Sequence, residues 1–340
     1  MQFNKTKEMG IAITAMMLVA TAALTAETQV GKPTIIDQPK GVNAKVGDRI
    51  VLSVNAAETF DSNQDFTLSL TNSTTTNTAT LDMIWCPPGT FMMGSPTNEL
   101  GRFDREDLHQ VTLTKGFWLG KYEVTQAQYL AVMGKYPSSF STNKNYAGLD
   151  KPVVNLSINE ARSFCLKLTQ IERAAGRISP YYEYTLPTEA QWEYACRAGS
   201  TSALYNGREL TSTNGYCASL ENIAWYNNNT QSGIAGAHVQ DVGQKLPNGW
   251  GLYDMLGNAG EFCSDNWVQH LGTNAVTDPE PSSSSSYSVI RGGYWYASSD
   301  ASIDSCRNPK ICRSSYRNSY YSTHCDNYIG FRVALVPIQF

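Results

Sequence analysis

The segment of residues 294–328 limits what this chain can fold into more than any other part of the sequence. Twenty-one of its 35 residues are Tyr, Ser, Asp, Asn or His, and in a core so many polar groups would need buried hydrogen-bond partners. Apolar, glycine-containing segments at 289–293 and 329–334 flank it. Tyr supplies large contact area at low rotamer cost, and Ser and Asn supply adaptable hydrogen bonds. The pattern therefore indicates a recognition surface held between two segments of a core.

The composition is that of a folded, weakly charged protein with many loops. The chain has 340 residues, of which 41% are hydrophobic and 16% charged, enough for one large or two modest domains. Abundant Gly, Ser, Thr and Asn favour loops over long helices. The net charge is −4 and the sequence has no Lys/Arg cluster, so nucleic-acid binding has little electrostatic support.

The N-terminus has the pattern of an export signal. Lys5 and Lys7 precede an apolar run from Met9 to Leu24, and small residues follow as far as Ala26. We expect residues 1–26 to be removed, leaving a periplasmic, outer-surface or secreted protein without a membrane span. The alternative is a retained anchor, which the length of the run disfavours because a bilayer takes about 20 apolar residues to span. Export would permit disulfides among the eight cysteines, but their spacing does not specify the pairing.

Two regions follow the signal. Residues 27–81 are interpreted as a β-like segment and linker, in which the polar stretch 71–80 is a flexible linker or an exposed hairpin. Residues 82–340 are interpreted as the main domain. In it, alternating apolar and polar residues predict strands at 82–86 and 109–113. Residues with good capping chemistry predict helices that begin at Thr125 and Ser157, and a third helix is predicted to begin at Pro187-Thr188.

Charged residues on the third predicted helix are spaced four apart. The spacing of Glu189, Glu193 and Arg197 predicts ion pairing on the helix surface, and it does not favour an acid–base pair because no His lies nearby. Three arginines adjoin glycine or aromatic residues and are predicted to brace the domain through hydrogen bonds to carboxylates. They are Arg291, Arg317 and Arg332.

Seven short motifs, taken in order, resemble one family. They are PPGTFMMGS at 87–95, YEVT at 122–125, PVVNL at 152–156, LPTEAQWEYACR at 186–197, GLYDMLGN at 251–258, RGG at 291–293 and IGFR at 329–332. Together they resemble the formylglycine-generating enzyme, or sulfatase-modifying factor, domain over roughly Met83 to Val336. The resemblance implies an α+β domain of the C-type-lectin kind, with little regular secondary structure and a ligand-bearing loop region near its C-terminus.

The enzyme of this family oxidises a cysteine of sulfatases to formylglycine and binds copper through two cysteines five residues apart, just after the Arg-Gly-Gly motif. The matching positions here are Ala297 and Ser302, and the nearest cysteines, Cys306 and Cys312, are six apart and displaced. Copper(I) requires soft thiolate ligands, so we expect neither copper nor oxidase activity. Binding of a metal, a disulfide and packing as small apolar side chains all stay open for the two cysteines.

One branch of the family, the variable proteins of diversity-generating retroelements, includes a treponemal member and carries a hypervariable segment at the chain's end. Mutagenesis at adenines scatters asparagine codons there into Tyr, Ser, Asp, His and related codons, the residue set of 294–328 apart from Trp295 and Lys310. The resemblance implies a monomeric, exported binding protein that is not an enzyme, with a protein or glycan ligand on a host or neighbouring cell. An oxidase using Cys306 and Cys312 and a non-catalytic envelope paralogue are the alternatives.

Within that segment, alternating residues are the predicted ligand contacts, because period-two spacing on an extended chain places side chains on one face. They are Tyr296, Ser298, Asp300, Asn318, Tyr320, Ser322, His324, Asp326 and Tyr328.

Four further positions match those that hold a structural calcium in the formylglycine-generating enzyme. They are Asp254, Gly257, Ala259 and Glu261. Two carboxylates and two backbone carbonyls in a tight turn are hard oxygen ligands suited to a hard cation, so calcium is the cofactor expected. The alternative is a turn closed by its own side-chain hydrogen bonds.

Overall fold

The computed structural model describes residues 64–71, 78–137, 147–230, 238–280, 285–296 and 309–338. Within those ranges the elements, in chain order, are β1 Phe66–Thr71, β2 Thr78–Cys86, β3 Gly89–Met93, β4 His109–Leu113, β5 Phe117–Gly120, α1 Gln126–Met133, α2 Ile158–Ala174, β6 Tyr182–Thr185, α3 Glu189–Arg197, β7 Gly260–Asn266, β8 Val276–Thr277, β9 Tyr287–Arg291, a 3-10 turn Pro309–Ile311, β10 Arg317–Tyr321, β11 Ile329–Gly330 and β12 Ala334–Pro337. The short helices and strands, joined by long irregular stretches, confirm the predicted α+β class with little regular secondary structure.

The described residues from 64 to 171 and from 180 to 338 belong to one compact unit, which contains every site discussed below. Glu172–Ser179, at the end of α2, belong to a second unit. Within that second unit, Arg177 Nε donates to Glu172 Oε2 at 2.7 Å.

Three sheets organise the unit. The largest has the strand order β1-β2-β5-β12-β6 and is antiparallel throughout. Its β5 is buried at all four positions because the strand lies in the middle of the sheet. A four-stranded sheet, β10-β9-β7-β11, carries the segment of interest, and a three-stranded sheet, β3-β4-β8, completes the set.

The strand β1 and the start of β2 lie within residues 27–81, the segment interpreted as preceding the main domain. β1 pairs antiparallel with β2 from Phe66 opposite Met83 to Thr71 opposite Thr78. β1 is therefore the edge strand of the five-stranded sheet, and residues 72–77 of the predicted linker or hairpin lie outside the described residues. The signal-like residues 1–26 lie outside the described residues. No helix in the described ranges combines the length and the apolar character needed to cross a membrane.

The predicted helix starts are confirmed at all three places, because capping is a local property of the sequence. Thr125 and Thr188 each cap a helix through the side chain and close a capping box with a Gln three residues later. At Ser157, the backbone N–H donates to Glu160 Oε2 at 2.9 Å, and Glu160 N–H donates to Ser157 Oγ at 3.3 Å.

Four arginines that are at most 2% exposed bind glutamates from other parts of the chain; we call these arginines and glutamates the arginine framework. The pairs are Arg291 with Glu193 and Glu189, Arg313 with Glu106 and Glu99, Arg317 with Glu189, and Arg332 with Glu261. The predicted bracing by three of these arginines is therefore confirmed, and Arg313 is a fourth that sequence reasoning missed. Because a bidentate guanidinium–carboxylate pair fixes both partners in direction, the framework ties strands to helices across the domain.

The prediction of surface ion pairs on α3 is wrong in one respect. Arg197 does pair with Glu193 at 2.8 Å, but Glu189, Glu193 and Arg197 are at most 4% exposed. The reason is that α3 packs against β3, β7 and β9, so both its flanks are covered. Its glutamates serve the framework instead of facing solvent.

Candidate ligand-binding face

The predicted ligand residues that the structure describes gather beside the four-stranded sheet. We call them the tyrosine face: Tyr296, Asn318, Tyr320, Ser322, His324, Asp326 and Tyr328. Their described side chains are half-buried except that of His324, which is exposed. The two remaining predicted residues, Ser298 and Asp300, lie outside the described residues.

The strand β10 provides the first part of the face. It pairs antiparallel with β9, which places Asn318 opposite Ile290 and Tyr320 opposite Ser288. β10 ends at Tyr321, so the period-two pattern covers only Asn318 and Tyr320 on the strand itself. The later members of the face lie on the chain between β10 and β11, where tertiary contacts, and not strand geometry, set their positions.

The carboxylate of Asp326 is the centre of the face. Its Oδ2 accepts hydrogen bonds from the hydroxyls of Tyr320 and Tyr328, the latter at 3.0 Å. Its backbone oxygen accepts from Asn155 N–H at 2.9 Å, which ties this turn to a neighbouring loop. Burial raises the pKa of the Tyr320 hydroxyl, and the hydrogen bond to Asp326 raises it further. Tyr320 therefore stays protonated and acts as a donor to the carboxylate.

Stacked aromatic rings flank that carboxylate. The rings of Tyr296 and Tyr328 are 5.1 Å apart between centroids and within 4° of parallel. Tyr294 lies 4.6 Å from Tyr328 on the same measure. Tyr296 and Tyr328 also pack against a buried apolar cluster. Its members are Val154, Val239, Ala259 and Trp295. Because each ring has a packed side, the stack holds a defined geometry before any ligand arrives.

A second aromatic group, which sequence reasoning missed, lies at the end of β10. Tyr321 is 45% exposed, and its ring lies 4.1 Å from that of Tyr287 and 4.8 Å from that of His324. Choosing alternate residues selected Tyr320 and left out Tyr321, although Tyr321 is the more exposed of the two. Tyr287 stands opposite Tyr321 in the register of β9 and β10, and the sequence alone gave no sign of that pairing.

Two serines and an asparagine close the edge of the face. Ser322 N–H donates to the Ser286 backbone oxygen at 3.1 Å, and the Ser322 and Ser288 hydroxyls lie 2.8 Å apart. Asn318 Oδ1 accepts from the next residue's N–H, that of Ser319, at 2.9 Å. These bonds fasten the turn after β10 to the chain that leads into β9.

Consecutive glycines begin the segment. Gly292 and Gly293 both have positive φ, 92° and 71°, a conformation that L side chains rarely adopt. A Cβ on Gly293 would lie 2.5 Å from the Ile311 backbone oxygen and 3.1 Å from Cys312 Sγ. The close approach requires glycine at this position, and it brings residues 293 and 311 together.

The positions discussed for copper are only partly described. Ala297, Ser302 and Cys306 lie outside the described residues. Cys312 is fully buried, and burial raises the pKa of its thiol to about 12, which disfavours the thiolate. The expectation that the protein binds no copper stays a prediction, because Cys306 lies outside the described residues.

The four calcium positions lie together in the turn before β7 and at its start, and all four are buried. Asp254 Oδ2 accepts from Gly243 N–H at 2.7 Å, while Glu261 forms two bonds of 2.6 Å with Arg332. Burial raises the pKa of Asp254 to about 6, and the nearby charge of Glu261 contributes. Glu261 Oε1 accepts only the Arg332 bond among the described residues, so a lone pair remains there for a cation.

A third carboxylate, missed in the sequence, lies beside them. Glu123 accepts from Ala259 N–H at 2.8 Å and from Asn258 Nδ2 at 2.9 Å. Burial raises its pKa, and Asp254 and Glu261 raise it further. The site thus has an excess of buried acidic groups. In the described ranges, however, no three His, Cys, Asp or Glu side chains are placed to hold a metal by themselves, so backbone carbonyls would have to complete a calcium shell.

The chain belongs to the family of the sulfatase-modifying factor enzyme 1-like domain, whose model matches residues 69–336. A solved structure with a similar fold is Treponema denticola variable protein 1, with a TM-score of 0.61 and 25% identity, covering 80% of this chain and 99% of that one. PvdO from Pseudomonas aeruginosa has a TM-score of 0.59 and 26% identity, over 75% of this chain and 94% of that one.

Relatives in sequence carry different names. The chaperone protein LppX of Paenibacillus barcinonensis is 28% identical over 231 residues, covering 55% of this chain and 72% of that protein. The formylglycine-generating enzyme of Bos taurus is 33% identical over 146 residues, covering 42% of this chain but only 35% of the enzyme's length. The family thus includes proteins named as enzymes and proteins named otherwise, and membership does not select between catalysis and binding.

Proposed function

We propose that the protein is an exported binding protein that uses the tyrosine face to recognise a macromolecule on another cell or host surface. The observation that carries the proposal is the arrangement at Asp326, where a half-buried carboxylate is held by two tyrosine hydroxyls beside a parallel ring stack. Tyrosines at an interface supply large contact area, and groups held in place before binding lose little entropy when the ligand docks.

The similarity to a variable protein supports a diversified role for residues 294–328. Such a role needs a scaffold that tolerates exchange of its contact residues. The arginine framework supports such a role, because its bonds involve side chains other than those of the tyrosine face; Arg313 and Arg317, which lie within the segment, would have to stay constant. Sequencing the locus tests the point: a near-copy of the coding bases for this segment, differing at adenines and beside a reverse transcriptase gene, is the expected result. A locus without such a copy removes the support for diversification.

Binding is tested with arrays of extracellular proteins and glycans. Wild-type protein is expected to give reproducible hits that Tyr296→Ala weakens about tenfold or more, since truncating a packed aromatic contact residue costs roughly 1–2 kcal/mol of binding. The matched control is Tyr181→Ala, whose side chain is 63% exposed on the chain leading into β6, in a different sheet. Arrays without hits, or hits that both variants keep, would refute the proposal.

Export is tested by cell fractionation of the full-length chain. The expected result is a processed protein outside the cytoplasm whose mass fits loss of residues 1–26. Leu18→Arg, which interrupts the apolar run, should leave unprocessed protein inside the cell. Unprocessed wild-type protein in the membrane fraction would favour the retained anchor instead.

Calcium is proposed as a structural ion at Asp254 and Glu261, with the Gly257 and Ala259 carbonyls, because an added cation would offset the crowding of acidic groups there. The measurement is thermal unfolding with calcium alone, with magnesium and with a chelator. Calcium is expected to raise the midpoint for the wild type but not for Asp254→Asn, since an ion that binds only the folded state stabilises it. Equal midpoints in calcium and chelator would contradict this assignment.

A further inference from the structure

We infer that the tyrosine face binds an arginine side chain displayed on a protein partner. The inference rests on the proposed function and specifies the chemical class of its ligand. Three features of the described residues carry it: the direction of the hydrogen bonds at Asp326, the absence of a described cation beside this carboxylate, and the way arginines are held elsewhere in the same chain.

The hydrogen bonds at the face leave acceptors available. Tyr320 donates its single hydroxyl hydrogen to Asp326 Oδ2 and therefore keeps only acceptor capacity. Asp326 Oδ1 accepts no hydrogen bond from any described residue. The complement of such a group is a donor without acceptors, which among side chains with a permanent positive charge means Arg or Lys. A sugar hydroxyl both donates and accepts, and these atoms would satisfy only half of it.

The charge of Asp326 is also unpaired within the part of the chain that the structure describes. Among the described residues, no Lys, Arg or His forms an ion pair with Asp326. A half-buried carboxylate has lost part of its hydration, so an incoming cation interacts with it more strongly than with a carboxylate in bulk water. The net charge of −4 gives a basic partner a weak general attraction in addition.

Buried arginines elsewhere in the chain show which side chain pairs with a carboxylate that lies near an aromatic ring. Arg317 forms two hydrogen bonds with Glu189, at 2.6 and 2.7 Å, while its guanidinium lies 4.5 Å from the centre of the Trp267 ring. Arg291 repeats the arrangement, with Glu193 as its carboxylate and Trp192 at 5.2 Å. Each is a triad of carboxylate, aromatic ring and guanidinium.

The tyrosine face has two members of that triad. Asp326 supplies the carboxylate, and the Tyr296 and Tyr328 stack supplies the aromatic surface. The planar, weakly hydrated guanidinium is the natural third member, since it pairs with a carboxylate and stacks on a ring at the same time. A lysine ammonium would satisfy the charge but not the stacking. The partner is therefore expected to present an arginine.

The test uses dye-labelled peptides with the sequence acetyl-Gly-Arg-Gly-Arg-Gly-amide and the matched peptide in which citrulline replaces arginine. Citrulline keeps the shape and most donors but carries no charge. Fluorescence polarisation with the full-length protein should show at least about tenfold tighter binding of the arginine peptide. A lysine peptide should fall between the two.

Two variants assign the effect to the face. Asp326→Asn keeps an oxygen acceptor for the tyrosines and should bring the arginine-to-citrulline ratio close to one. The matched control Glu183→Gln removes the same charge from an exposed position on β6, in another sheet, and should keep the wild-type ratio. If Asp326→Asn fails to fold, Tyr296→Leu serves instead, because it keeps apolar packing, removes the ring face and should lower the ratio several-fold.

Equal binding of the two peptides by the wild type, or a ratio that survives Asp326→Asn, overturns the inference. So does a glycan hit on the arrays that depends on Tyr296 but not on the charge of Asp326. That last result leaves the proposed function standing, since the face still binds. The proposed function is refuted only by a different outcome, in which array ligands bind the wild type and Tyr296→Ala equally well or no ligand binds at all.

Discussion

Arg317 opens β10 and Asp326 follows a few residues after the strand, yet the two charges are treated in opposite ways. The guanidinium is 2% exposed and bound by Glu189 through Nε and one terminal nitrogen. The carboxylate is half-exposed, and among the described residues tyrosine hydroxyls bind only one of its oxygens. The framework thus pairs its charges with each other, whereas the tyrosine face keeps hydrogen-bond acceptors for a ligand. A change in the first region should cost stability, and a change in the second should cost binding.

The largest expected effect comes from breaking a framework pair. Arg313→Met leaves Glu106, which is fully buried, without the guanidinium that binds both its oxygens at 2.6 and 2.9 Å. The free energy of unfolding, measured with denaturant, should fall by about 3–5 kcal/mol because an unpaired buried charge remains. The double variant Arg313→Met/Glu106→Leu should recover part of the loss. A loss under about 1 kcal/mol would contradict the role assigned to the framework.

A pH experiment tests Asp265, a buried carboxylate that lies beside the framework residue Glu189 and accepts a hydrogen bond from its N–H. Burial raises the pKa of Asp265 to about 7, and the charge of Glu189 contributes. Between the unfolded pKa near 4 and this value the folded state binds the extra proton, so this contribution to stability is full below pH 4 and is lost as the pH rises to 7. Asp265→Asn lacks this pH dependence, so its free energy of unfolding relative to that of the wild type should rise on the order of 4 kcal/mol from pH 4 to 8.

The readout is the difference between the two unfolding free energies at each pH, which cancels the titration of groups that both proteins share. A difference that stays flat across this range would mean that Asp265 is ionised in the folded protein. The N-terminus of α3, whose Glu189 N–H donates to Asp265 Oδ2 at 2.7 Å, would then be the stronger influence.

A smaller effect is expected at the centre of the face. Tyr320→Phe removes one of the two hydroxyls on Asp326 and should lower the free energy of unfolding by about 1 kcal/mol, the usual net value of a hydrogen bond. Binding of the arginine peptide should weaken as well, because Asp326 loses its orientation. Thermal denaturation measures the stability, and the polarisation assay measures the binding. A large loss of stability with unchanged binding would show that Tyr320 serves the fold and not the ligand.

The smallest effect is expected at Tyr321. The side chain is 45% exposed at the end of an edge strand, so Tyr321→Ala should change the free energy of unfolding by less than about 1 kcal/mol, the loss of one cross-strand aromatic pair with Tyr287. Chemical denaturation checks it. A loss as great as that of Arg313→Met would show that the face also carries the fold.

Local features of this protein were predictable from its sequence, and features that depend on distant contacts were not. The helix starts at Thr125, Ser157 and Thr188 depend on side chains three residues apart, so the sequence contains the whole cause. The burial of Glu193 depends on strands that cover α3 from elsewhere in the chain. The spacing of Glu193 and Arg197 therefore predicted their ion pair correctly but placed it wrongly on the surface.

The candidate site divides in the same way. Composition alone indicated that the whole of 294–328 is suited to recognition, but residues 311–317 within it are buried. The predicted contact residues were chosen by alternation. Alternation could not indicate that the hydroxyls of Tyr320 and Tyr328 both donate to Asp326, since a turn lies between Tyr320 and Asp326. It could not indicate Glu123 beside the calcium positions either, because more than a hundred residues separate Glu123 from Ala259. Such partners are brought together by the fold.

The contact between Gly293 and Ile311 has a consequence for protein engineering. Residues 293 and 311 are held next to each other, so any segment inserted between them has its two ends fixed close together. For a flexible connection, doubling the number of residues between fixed ends adds only about 0.6 kcal/mol of closure entropy. Inserts of quite different length should therefore be graftable at this position, which would make the domain a carrier for foreign binding loops.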